Sequence, residues 1–174
     1  RPGTTAEALA GLKTVFREEG GTVTAGTSSP LTDGAAATLV TSLAYAERHG
    51  LAPLARVVAF AVEGCDPEVM GVGPIGAVRK VLARGGITID DVAFLELNEA
   101  FASQSVAVIE GVGIDPARVN VDGGALALGH PLGATGARIT GKAAALLARD
   151  GGRYAVSTQC IGGGQGIATL LEAL

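Results

Sequence analysis

The chain has 174 residues, 48% of them hydrophobic, with a mean hydropathy of +0.40, a net charge of -4 and a pI near 5.1. That is apolar material for a substantial core in one domain or slightly more, and the acidic balance offers no field for nucleic acid or anionic lipid. No apolar run reaches the roughly 18 residues a membrane span needs, and two distant cysteines, Cys65 and Cys160, make neither a disulfide framework nor a CxxC metal knuckle.

Thr4-Thr5-Ala6-Glu7 reads as a capping box with Thr4 as N-cap, and Leu9, Leu12 and Phe16 continue a helix that Gly20-Gly21 stop. TVTAGTSSP reads as a short strand entering a polar loop. GAAATLV, residues 34–40, fits either a buried strand or a tightly packed helix. AYAERHG is a helical turn closed by Gly50, where His49 has a capping and dipole role, and Leu51-Ala52-Pro53 is a linker. Arg1 at the start fits an ordinary processed terminus or a chain that begins midway through something larger, and no signal peptide is visible.

Beyond the linker the signals alternate. ARVVAFAVEG is a strand, PIGAVRKVLARGG a helix, VAFLELN a strand and EAFASQSVAVIEG a helix; RVNVDGG is a short strand or a loop. LGATGARITGKAAALLARDGG is a long helix with Ile139, Ala143, Leu146 and Leu147 inward and Arg138, Lys142 and Arg149 outward. Gly136, Gly141, Ala144 and Ala148 suggest that neighbouring backbone encloses it. RYAVSTQC and GIATLLEAL are two strands joined by a triple-glycine turn. The pattern predicts an α/β layered fold whose central sheet is mixed and covered by helices.

Gly71-Val72-Gly73-Pro74-Ile75-Gly76 matches G-x-G-x-x-G, but Pro74 removes a donor and charged CDPEVM precedes it, so a nucleotide loop is rejected. Three other places carry chemistry. Asn98 and Glu99 stand where a strand turns into a helix, as functional groups or as a plain helix cap. His130 lies between Gly129 and Gly133, a structural histidine or a proton carrier that a ligand can approach closely. Cys160 precedes Gly162-Gly163-Gly164, an inert buried thiol or one matched in pKa to another thiol for proton exchange, beside bare N–H groups. Cys65, in EGCDPE, reads as a small packing residue.

NEAFA at 98–102, GGALALGHPLGATGAR at 123–138 and CIGGGQG at 160–166 together resemble the thiolase family, in the family's order. MGVGP at 70–74 and the opening RPGTTAEALAGL resemble thiolase segments too. The resemblance implies that Cys160 is the acid/base. It also implies that His130 activates a separate nucleophilic cysteine and binds the thioester oxygen, with Asn98 holding a water in that oxyanion hole. The N–H of Gly162 serves a second hole, Ser29 contacts CoA, and Met70 and Phe101 line the acyl and pantetheine channel. Residues 1–50 then correspond to the end of the family's N-terminal domain and 51–174 to its C-terminal domain. No residue matches the nucleophile, which lies in the family's first half.

The implied activity is that of a 3-ketoacyl-CoA thiolase, an acetyl-CoA C-acyltransferase of the degradative, fatty-acid-oxidation type, with this chain inactive alone. Thr27-Ser28-Ser29-Pro30, where the family commonly carries N-A-S-G, looks more like the degradative members, although a biosynthetic acetoacetyl-CoA thiolase is the alternative. Gly76 stands where proline is common in the family. A non-catalytic CoA-binding or assembly subunit, pairing with a chain that carries the nucleophile, is a further alternative. CoA and acyl-CoA are substrates, with no covalent cofactor and no metal. The missing N-terminal half, a homo-oligomer and a cytoplasmic location complete these expectations.

Overall fold

The computed structural model describes residues 2–174. The first helix, α1 (Ala6–Ala10), is capped by Thr5, whose hydroxyl accepts from the Ala8 N–H at 3.2 Å, so the cap lies one residue beyond the Thr4 that the capping box suggested. It ends at Gly11 rather than continuing through Phe16 to Gly20. TVTAGTSSP forms no strand: Thr14 and Thr24 share an isolated bridge, and Ser28 bridges Phe101. GAAATLV is neither a strand nor a helix. Residues 31–45 are exposed, with Leu31 101% and Leu39 and Val40 each 76% accessible, and no backbone hydrogen bond joins 33–41 to any other described residue. Two successive apolar side chains point to opposite faces of an extended chain, the pattern of a strand covered on both sides, and this segment has neither cover. Helix α2 (Leu43–Arg48) follows, with the Ser42 hydroxyl as its cap and Gly50 at φ +63° behind it.

From residue 55 the expected alternation appears. Strand β1 (Ala55–Gly64) leads through a 3-10 turn into α3 (Gly73–Gly85), closed by the left-handed Gly86. Strand β2 (Val92–Leu97), helix α4 (Ala102–Val112), the short α5 (Ala125–Leu128) and the long α6 (Leu132–Asp150) come next. The hairpin of β3 (Tyr154–Ile161) and β4 (Gln165–Ala173) closes the chain. The sheet order is β1-β4-β3-β2, with β2 parallel to β3 and the other pairs antiparallel, so the sheet is mixed as expected.

Each face has its own core. Val78, Val81 and Leu82 of α3 and Val108 of α4 meet Leu95, Leu97, Val156 and Leu170, all buried. On the opposite face Ala143 and Leu147 of α6 meet Ala155 and Leu171. Leaving α6 beside β2 and β3 uncovers part of that second face, where Val57, Phe60 and Val62 of β1 are 40–62% accessible. Side chains of this size are normally buried together. The outward side of α6 is also open at Ala148, so the helix is enclosed on one side only. Among the described residues no helix is long and apolar enough to cross a membrane.

The glycines of the G-x-G-x-x-G match serve packing. A Cβ on Gly71 would lie 2.7 Å from Gln104 Cγ, on Gly73 2.5 Å from the Gln165 carbonyl oxygen, and on Gly76 2.6 Å from Glu63 Cγ. They seat the start of α3 against β1, β4 and α4, and leave no cradle for a pyrophosphate.

Candidate active site

Strands β2 and β3 run parallel, so their carboxyl ends share one edge of the sheet, the usual location of sites in α/β folds. Asn98 extends β2 by one residue, its N–H donating to the Thr158 carbonyl at 3.0 Å. Cys160 lies two residues beyond Thr158 on β3. His130 directly precedes Pro131, the N-cap of α6, on the helix that packs against β2 and β3. Asn98, His130 and Cys160 thus come to one end of the sheet on three elements, and no direct hydrogen bond joins any two of them.

Asn98 and Glu99 are not the helix cap: α4 begins at Ala102 with Phe101 as its N-cap and no side-chain cap. Glu99 instead clamps the next loop, accepting from Asn120 Nδ2 at 2.7 Å and from the Leu126 N–H at 3.0 Å. Asn120 also pairs with both backbone groups of Leu97 at 2.8 Å. The loop that carries His130 is therefore tied to the end of β2. The amino-terminal arm adds a second tie. Ser29 N–H donates to the Ala100 carbonyl at 3.0 Å, Ala102 N–H to the Thr27 carbonyl at 2.8 Å, and His130 N–H to Thr32 Oγ1 at 3.0 Å. Ser29 is thus docked against the Asn98–Ala102 turn. Phe101 is half-buried and meets Phe16 edge to face, with centroids 6.2 Å apart. Met70 is also half-buried, and its carbonyl lies 3.9 Å from the Cys65 thiol.

Gly162 is exposed at the head of the β3–β4 turn, and Gly163 and Gly164 take φ of +87° and +93°. The Cys65 N–H donates to the Gly164 carbonyl at 2.8 Å, so Cys65 steadies this turn rather than filling a core. Burial pushes the Cys160 thiol up, partly offset by a backbone hydrogen bond, with a small further push from Cys65. Burial also holds His130 below the usual histidine range, and the positive charge of Arg138 adds to this. At neutral pH the site therefore presents a thiol that can give a proton and an imidazole that can take one.

A buried polar layer, which no pattern in the sequence reveals, lies between the sheet and α6. Glu96 is 1% and Asn98 0% exposed, and neither side chain has a hydrogen-bond partner; Arg138 Nε and Nη2 are likewise buried and unpaired. Arg138 is half-buried rather than turned outward as the helical pattern suggested, because Glu96 rather than an apolar residue faces α6 from β2. Burial raises Glu96 to about 7, with Arg138 and Lys142 pulling it back. A carboxyl raised on folding supports stability fully below its unfolded value of 4.5 and loses that support as pH climbs through 7. Relative to Glu96→Gln, the protein should lose stability between pH 4.5 and 8, by about 3 kcal/mol at most. Urea midpoints of the two proteins across that range check this; parallel curves would contradict it.

The model of the family described as "Thiolase, C-terminal domain" matches residues 51–173, and that of "Thiolase, N-terminal domain" matches residues 1–44. The chain belongs to the thiolase family. The 3-ketoacyl-CoA thiolase of Marinobacter nauticus is 51% identical over 177 residues, covering 100% of this chain and 45% of that thiolase. Human mitochondrial 3-ketoacyl-CoA thiolase in complex with CoA superimposes with a TM-score of 0.92 at 44% identity, over 100% of this chain and 44% of its own. The Bacillus anthracis acetyl-CoA acetyltransferase does so with a TM-score of 0.95 at 46% identity, over 100% and 44%. The fold is thus the α/β thiolase fold, and the chain spans a little under half the length of the thiolases it matches.

Proposed function

We propose that this chain is the carboxyl-terminal part of a 3-ketoacyl-CoA thiolase that moves an acyl group from a 3-ketoacyl-CoA to CoA and releases acetyl-CoA. Residues 1–50 close its N-terminal domain and 51–174 form its C-terminal domain. The observation that carries the reading is the convergence of Asn98, His130 and Cys160 at one sheet end. Cys65 holds the glycine turn from beneath, with its N–H on the Gly164 carbonyl.

In this reading the nucleophilic cysteine comes from the N-terminal half. His130, neutral because it is buried near Arg138, takes the proton of that thiol at Nε2 and then supports the thioester oxygen. The Asn98 amide holds a water against the same oxygen, which gives its buried polar atoms the partner they lack among the described residues. Cys160, held as a thiol by burial, gives its proton to the leaving acetyl-CoA enolate and recovers it from incoming CoA. The N–H of Gly162 steadies the enolate oxygen. Ser29 contacts CoA, while Met70 and Phe101 line the channel. The human mitochondrial relative in complex with CoA supports CoA thioesters as the ligands.

The uncovered segment 31–43 and the open face of β1 are where the N-terminal half packs. A homo-oligomer and a cytoplasmic location, with no covalent cofactor and no metal, complete the reading. The fatty-acid-oxidation direction is favoured by the Marinobacter relative's name, and a biosynthetic acetoacetyl-CoA reading by the Bacillus structure. The test is thiolysis of 3-ketoacyl-CoA by the chain alone and by the chain fused behind the upstream region of the Marinobacter thiolase. No turnover alone and turnover in the fusion is the expected result. A fusion that is folded, binds CoA and stays inactive would favour a non-catalytic subunit instead.

A further inference from the structure

The side chain of Thr135 is fully buried and lies one turn into α6, five residues after His130. Its Oγ1 is 2.7 Å from His130 Nδ1 and donates to the Pro131 carbonyl at 3.1 Å. A hydroxyl has one hydrogen and can also accept. With that hydrogen on Pro131, Oγ1 accepts from a protonated Nδ1, and both polar atoms of the pair are satisfied. Turning the hydrogen toward Nδ1 would lose the Thr135–Pro131 bond and leave one hydrogen bond fewer around a fully buried hydroxyl. Back-bonding to the carbonyl four residues earlier is also the habitual geometry of threonine in a helix.

We infer that Thr135 is the positioning residue of His130: its hydroxyl fixes the imidazole as the Nδ1–H tautomer, so that Nε2 keeps its lone pair for the reacting groups. The backbone is fixed separately, by the His130 N–H on Thr32 Oγ1 at 3.0 Å. His130 is therefore held at its ring by one neutral hydroxyl and at its backbone by another. A carboxylate at Nδ1 would hold the same tautomer but raise the basicity of the ring. The neutral hydroxyl avoids that. When Nε2 takes a proton, Nδ1–H goes on donating to the same oxygen, and nothing near the ring has to reorganise.

This role rests on His130 as the base of the proposed reaction, but the tautomer can be read without activity. Long-range proton–nitrogen NMR of the full 174-residue chain resolves two histidines, and His49→Gln assigns them. The expected spectrum shows His130 with a protonated Nδ1 and an unprotonated Nε2. Thr135→Ser keeps it and Thr135→Val gives a tautomer mixture. An Nε2–H tautomer in the unchanged protein would overturn the inference, and this holds even if Thr135→Val fails to fold. So would a folded Thr135→Val that keeps Nδ1–H unmixed. In the fused enzyme, Thr135→Val should lower kcat about 10- to 100-fold with KM little changed, and Thr135→Ser should restore it. If the tautomer responds as stated but the fused enzyme has no activity to lose, the positioning role stands and the assigned reaction falls.

Discussion

In a fused enzyme with the nucleophile region present, Cys160→Ala should lower turnover about 10²- to 10⁴-fold, the usual range for removing a positioned acid/base. The reason lies in the order of steps. Acyl transfer to the separate nucleophile needs His130 as base and an oxyanion hole, and neither involves the Cys160 thiol. Release of acetyl-CoA and entry of CoA each move a proton between carbon or sulfur and Cys160. A thiol suits this because donor and acceptor are matched when the other partner is the thiol of CoA. Burial raises the Cys160 thiol, so it stays protonated at neutral pH and is ready to act as an acid first. Cys160→Ser, nearly the same shape, should not rescue, because a hydroxyl is far less acidic than a thiol. A Cys160→Ser enzyme with full turnover would contradict the proton-transfer role.

The largest stability effect is expected at Gly166. This residue lies in β4 opposite Cys160 of β3 and Glu63 of β1. A Cβ there would overlap the carbonyl of Gly73 and lie 2.5 Å from the Pro74 nitrogen. Those are backbone atoms at the start of α3, so nothing can swing aside, and α3 is itself anchored by buried Ala77, Val78 and Val81. Gly166→Ala should therefore cost more than about 3 kcal/mol, read as a lowered urea midpoint against the parent chain. Gly162→Ala makes the control: nothing lies within 4 Å of its Cβ position, and its effect should be under about 1 kcal/mol. Equal effects at the two glycines would mean that close backbone approach at Gly166 does not limit stability.

The sequence was most readable where each element carries its own boundary. Strand β1 spans the ten residues ARVVAFAVEG, α3 stops at a glycine in the left-handed region, and the hairpin turns on three glycines. Reading failed where distant contacts, not local pattern, decide the outcome. GAAATLV has the composition of a buried element, yet Leu39 and Val40 are exposed and no described residue covers them. A helical wheel put Arg138 outside because the polar layer beneath α6 depends on Glu96, more than forty residues away. Asn98 and Glu99 looked like caps, since their residue types suit a helix start. Tertiary contacts keep them instead, Asn98 on Thr158 and Glu99 on Asn120 and Leu126. Asn98, His130 and Cys160 stand out as candidates from their sequence surroundings alone. Thr135 does not, because nothing in GHPLGAT says which way its hydroxyl points.

The division of labour between Cys160 and the nucleophile is read from where the acyl group sits. The fused enzyme is mixed with a 3-ketoacyl-CoA without free CoA, quenched in acid and mapped by peptide mass spectrometry. One thioester is expected, on a cysteine of the upstream region, with Cys160 and Cys65 unmodified. An acyl group on Cys160 would contradict it, because that thiol would then be the nucleophile and not the proton carrier.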